Sequence, residues 1–122
     1  MTESKSRAEL GQDMIDRLGP EIAAAVRATY DISPELGRIL QEHAFGDVYV
    51  SGDLDLRTRE LITVAALVGA GGNATPVRNH ISAALAVGAT HEDIIGMFVQ
   101  LVPIVGFARV LSAAWDYTSG RA

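Results

Sequence analysis

The sequence predicts an all-α fold of about six or seven helices, and three observations carry that expectation. Apolar residues recur at three- and four-residue spacing over most of the chain. Pro, Gly, Ser, Thr and Asp stand where helices would start and stop. One short stretch, Val48-Tyr49-Val50, favours a strand, and nothing elsewhere offers it a clear partner.

Residues 1–6 read as a frayed end, leaving one domain over 7–122. From Arg7 to Leu18, the residues Leu10, Met14, Ile15 and Leu18 fall on one helical stripe. Gly19-Pro20 stops that helix and starts a second, through Ile22, Val26 and Tyr30. Ser33-Pro34-Glu35 opens a third, with a capping Ser and then a Pro whose φ suits the first turn. Leu36, Ile39, Leu40 and His43 follow at helical spacing. Residues 45–53, FGDVYVSGD, are the least helical part and read as an extended connector.

Asp55 caps a helix from Leu56 to about Ala70, whose segment LITVAALV is apolar nearly all round and predicts burial on most sides. Gly71-Gly72-Asn73 ends it. Thr75-Pro76 starts a helix that stops near Gly88. Thr90 and Asp93 form a variant capping box for the next, where Pro103 predicts a bend or a break. A last helix runs from about Phe107 to Tyr117.

Composition narrows the function. Apolar residues make up 48% of 122 residues, a surplus for a small domain that predicts self-association. The net charge of -5 comes without a basic block, against a nucleic-acid role. Nine of the ten basic residues are Arg, the side chain suited to gripping carboxylates, and Lys5 is the sole Lys. No cysteine exists, which excludes disulfides, thiolate metal sites and thiol catalysis. The polar N-terminus and the interrupted apolar runs point to a cytoplasmic protein with no membrane span.

Polar groups on apolar helices are the informative ones, because burying them costs free energy unless they are partnered. Glu60 reads either as a first-turn acid that suits the helix dipole or as a site carboxylate. His80 shares a face with Val77, Ala83, Ala84 and Val87. It is either a satisfied core histidine or a proton donor or acceptor in an apolar pocket. Arg57, Arg59 and Arg78 near helix starts read as ion-pairing residues, one of which an anionic substrate would need. Gln100 is either a satisfied buried amide or a pocket hydrogen bonder. His43 and His91 carry no signal. The three histidines are far apart, without metal-ligand spacing, and GAGGN follows a helix rather than a strand, which leaves no phosphate loop.

The block LDLRTRELITVAALVGAGGN, the segment HISAALAVGATHEDI and the run QLVPIVGFARVLSA together resemble the carboxymuconolactone decarboxylase family over roughly residues 45–115, and GQDMIDRLG upstream fits too. The resemblance implies an all-α chain assembled as trimers or hexamers, with its site among the helices bearing Glu60 and His80. One branch, the alkylhydroperoxidase type, uses a CxxC pair ahead of the histidine; those positions fall here at Asn73 and Pro76. The other branch resembles cofactor-free decarboxylases of lactone acids in aromatic catabolism. This chain keeps Arg59, Glu60, His80 and Gly106. It departs at Pro76, where Glu or Gln is common, at Ile104 for an aromatic Tyr, and at Ala108 for Pro.

The expected function is therefore cofactor-free decarboxylation of a small anionic lactone or keto acid. His80 would donate the proton, Glu60 would orient or recharge it, and Arg59, Arg78 and Gln100 would bind substrate. Two alternatives keep the same pocket: an isomerase, cyclase or dehydratase for another small cyclic or polyketide-like substrate, and a non-catalytic small-molecule-binding or assembly subunit.

Overall fold

The computed structural model describes residues 4–119. Among them the chain forms seven α-helices and one π-helical segment, with no strand. They run α1 (Arg7–Leu18), α2 (Pro20–Ile32), α3 (Pro34–Ile39), the π-helical segment (Leu40–Val48), α4 (Leu56–Ala70), α5 (Ala74–Ala86), α6 (His91–Val105) and α7 (Phe107–Ser119). They gather into two compact units, residues 4–54 and 55–119. No helix of the described residues is long and apolar enough to cross a membrane.

In the first unit the expected frayed end is partly a cap, and residues 1–3 of it lie outside the described residues. The Ser6 hydroxyl accepts from the Glu9 amide while the Glu9 carboxylate accepts from the Ser6 amide, and Lys5 pairs with Asp13. Met14, Ile15 and Leu18 of α1, Ile22 and Val26 of α2, and Phe45 are buried. The stripe expected on α3 is not: Leu36 and Ile39 are exposed, and the helix instead buries Gly37, whose bare Cα faces the Tyr30 ring.

The largest correction lies at the expected extended connector. The helix begun at Pro34 continues into wider π turns as far as Val48, and only residues 49–53 form turns and bends. Close backbone packing accounts for this. A Cβ on Gly11 would overlap the Gln41 carbonyl, and one on Gly46 would overlap the Arg7 carbonyl. Two glycines thus let α1 and the π-helical segment meet backbone to backbone. Around them the Gln41 amide donates to the Ala8 carbonyl at 2.9 Å and the Tyr30 hydroxyl donates to Gln41 at 2.8 Å. This packing overrides the local strand preference of Val48-Tyr49-Val50. Gly11→Ala is expected to destabilise the protein by about 1–3 kcal/mol in urea unfolding, although alanine is the better helix former. An unchanged or raised midpoint would contradict the close crossing.

In the second unit the caps of α4 and α6 fall as the sequence predicts, whereas α5 starts at Ala74 behind Asn73, ahead of the expected Thr75-Pro76. The Asp55 carboxylate accepts from the Thr58 amide at 2.7 Å, and Thr90 and Asp93 complete a capping box. Gly71 ends α4 in the left-handed conformation, at φ +70°. The helix does not break at Pro103; α6 runs on to Val105 and stops at Gly106. Pro103 removes the donor for the Val99 carbonyl, and Val99 is exposed, so water can meet the orphaned acceptor.

The core joins Val64, Val68, Val77, Ile81, Ile94, Phe98, Val110 and Tyr117. Burial of LITVAALV on most sides is not observed: α4 buries one stripe, Glu60, Val64 and Val68, and leaves Ile62 52% exposed. Val99, Ile104, Phe107 and Trp115 are likewise well exposed.

Candidate functional site

α4 starts at Leu56, so Glu60 lies a turn inside it rather than in the first turn, on the buried stripe with Val64 and Val68. Its side chain is fully buried, the sole charged residue of the described core. His80 lies on α5, one turn after buried Val77. The two helices pack so that the imidazole Nδ1 lies 2.7 Å from the Glu60 Oε2. The contact engages one ring nitrogen with the carboxylate and leaves Nε2 as the nitrogen that can take up or release a proton. Nε2 has no hydrogen-bond partner among the described residues, and the His80 side chain keeps 20% of its surface open. The pair is a buried, oriented imidazole with one nitrogen left for chemistry.

The other residues expected at the site divide. Arg59 precedes Glu60 on α4 and is half-buried. The Arg78 Nε lies 2.9 Å from Asp116 Oδ2 of α7. Gln100 is exposed on α6 and has no described hydrogen bond, which corrects its reading as a satisfied buried amide, and no described contact joins it to the Glu60–His80 pair. Arg57 grips Asp93 with two contacts, Nη2 to Oδ1 at 2.8 Å and Nε to Oδ2 at 3.2 Å, tying the starts of α4 and α6 together.

That tie has a pH signature. The Arg57 guanidinium, followed by the Thr90 amide, holds Asp93 below the usual carboxylate range, and the Thr58 hydroxyl and amide do the same for Asp55. A carboxyl group depressed on folding stabilises the protein above its unfolded pKa, near about 4 for Asp. The contribution is lost as pH falls through the lower folded value. Asp93→Asn is therefore expected to lower urea stability at neutral pH, with the difference from wild type shrinking as pH drops below the Asp range. A difference constant across pH would refute the assignment.

Sequence reasoning passed over three features. His91 is not an idle first-turn residue: its Nδ1 lies 2.8 Å from the buried Tyr117 hydroxyl, and the rings stack at 5.6 Å. Arg109 donates to the Gly69 carbonyl at 2.8 Å, at the end of α4. Asp116 answers Arg78. A cavity of about 560 Å³ opens beside these last two, lined by Gly71, Val77, Arg109, Ser112 and Asp116 among others, and neither Glu60 nor His80 lines it. The available signal was the spacing on α7, where 109, 112, 113 and 116 form one stripe.

Residues 34–119 match the model of the carboxymuconolactone decarboxylase family. No curated protein matches the chain.

Proposed function

The chain belongs to the carboxymuconolactone decarboxylase family, and on that premise we propose that it is a cofactor-free carboxy-lyase for a small anionic lactone or keto acid. The observation that carries the reading is the 2.7 Å contact between fully buried Glu60 and His80. The alkylhydroperoxidase chemistry of relatives with a CxxC pair is closed to this sequence, which holds no thiol.

Decarboxylation breaks the bond between the carboxylate carbon and its neighbour. The electron pair moves onto the conjugated carbonyl or lactone, and a proton must then reach carbon. In the proposed reaction Arg59 or Arg78 holds the substrate anion. The imidazolium form of His80 delivers the Nε2 proton, and Glu60, buried against Nδ1, steadies the charge that the ring carries before transfer. Solvent restores the proton for the next turnover. Apolar surroundings assist, because carboxylate hydration opposes loss of CO2.

Exposed Ile62, Val99, Ile104, Phe107 and Trp115 support a homo-oligomer, a trimer or hexamer in this proposal, that covers apolar surface which one chain leaves open.

Mass spectrometry of 4-carboxymuconolactone incubated with the purified protein tests the reading. Loss of the mass of CO2 is the expected result. A product of unchanged mass would replace it with isomerisation. No product from this or related lactone and keto acids would favour a binding subunit.

A further inference from the structure

The cleft beside α7 has the makings of a second recognition site, separate from the Glu60–His80 pair. Its wall is one stripe of α7, with Arg109, Ser112, Ala113 and Asp116 at successive helical spacings. Facing them are the bare turn Gly71-Gly72 and the side chain of Val77.

The charges in this cleft do not balance. Asp116 is answered by Arg78, whose Nε lies 2.9 Å from Oδ2. Arg109 faces no carboxylate among the described residues; its described partner is the Gly69 carbonyl at 2.8 Å. That bond orients the guanidinium, and the absence of a Cβ on Gly71 gives it room: a Cβ there would stand 3.0 Å from the Arg109 Cζ. A guanidinium carries five N–H donors, and one described bond leaves most of them to spare. The cleft therefore holds one positive charge with no carboxylate partner among the described residues, which selects a monoanion.

Asp116 supplies the second determinant. Its Oδ2 is buried and makes no hydrogen bond, since its contact with Arg78 is one of charge and not of hydrogen-bond geometry. The side chain nonetheless keeps 30% of its surface open, and with Oδ2 buried that surface belongs to the rest of the carboxylate arm. A carboxylate held by one cation with acceptor capacity left over attracts a hydroxyl or amine donor. Arg109 and Asp116 are two turns apart, about 10 Å along the helix axis. A ligand that meets both must carry its charge and its donor at opposite ends, across a small ring or a chain of several carbons. A cavity of about 560 Å³, with Val68, Val77 and Ala113 among its walls, has room for that carbon frame.

We propose that this cleft binds a small hydroxy-carboxylate, its carboxylate on Arg109 and its hydroxyl on Asp116. The assignment does not depend on decarboxylation, because neither Glu60 nor His80 lines the cleft. Isothermal titration calorimetry with trans-4-hydroxycyclohexanecarboxylate and with cyclohexanecarboxylate tests it, whatever the turnover assay gives. Wild type should bind both, the hydroxy acid about ten-fold more tightly or better, as expected for a hydrogen bond to a charged group. Arg109→Gln should weaken both by at least about ten-fold, whereas Arg109→Lys, which keeps the charge but loses the guanidinium fork, should weaken them less than Arg109→Gln does. Asp116→Ala should erase the preference for the hydroxy acid while leaving the plain acid bound. Circular dichroism of each variant separates loss of a contact from loss of the fold. Lack of saturable binding, binding indifferent to Arg109→Gln in a folded variant, or equal wild-type affinity for the two acids each overturns the proposal.

Discussion

His80→Gln is expected to lower kcat by about 10²–10⁴-fold, the range that a positioned proton donor contributes. Glutamine fills similar space, and its amide can still bond to Glu60, so the contact between α4 and α5 survives. What disappears is a group that can give and regain a proton. Helical content and the unfolding midpoint should therefore stay near wild type while turnover collapses. Substrate binding through Arg59 or Arg78 should persist, leaving KM little changed. Near-normal turnover in this variant would remove His80 from the reaction and return it to the alternative of a satisfied core histidine.

Glu60→Ala should be the most damaging single change to stability at the site, costing about 3–5 kcal/mol in urea unfolding, the usual result of breaking a buried charged pair by removing one partner. Three losses combine there. The His80 Nδ1 loses its 2.7 Å partner, the packed stripe with Val64 and Val68 gains a void, and the imidazole is freed to turn. Glu60→Gln keeps the volume and one hydrogen bond, so its stability cost should be much smaller. Its effect on turnover should nonetheless be large, because a neutral amide does not steady an imidazolium. If the two variants were equally stable, Glu60 would be a tolerated buried acid rather than an anchored one.

Much of the second unit was legible because its signals are local. Asp55, Gly71 and the Thr90/Asp93 box act on backbone groups within a few residues, so their chemistry alone places the helix ends. The first unit was harder. The path of residues 40–48 depends on two glycines, Gly11 and Gly46, that admit a backbone crossing, and a missing side chain announces nothing about what approaches it. Val48-Tyr49-Val50 then misleads in the opposite direction.

At the site the residues and the pairing of Glu60 with His80 were expected from the family resemblance, but not that the two meet within one chain. Glu60 and His80 were singled out as polar groups on apolar helices, twenty positions apart, and only the packing of α4 on α5 brings them to one contact. His91 and Tyr117 were missed for the same reason, with twenty-six positions between them. Gln100 shows the converse. Apolar neighbours in sequence suggested burial, yet that part of α6 faces outward with Val99.

The exposed apolar surface has a practical consequence. Trp115, 64% exposed on α7, is the sole tryptophan of the sequence. Its indole emission is thus an unlabelled optical gauge of whether that face is wet or covered. Dilution that separates copies packed on α7 would move the emission to longer wavelength, while a chain that leaves this face bare would emit alike at every concentration.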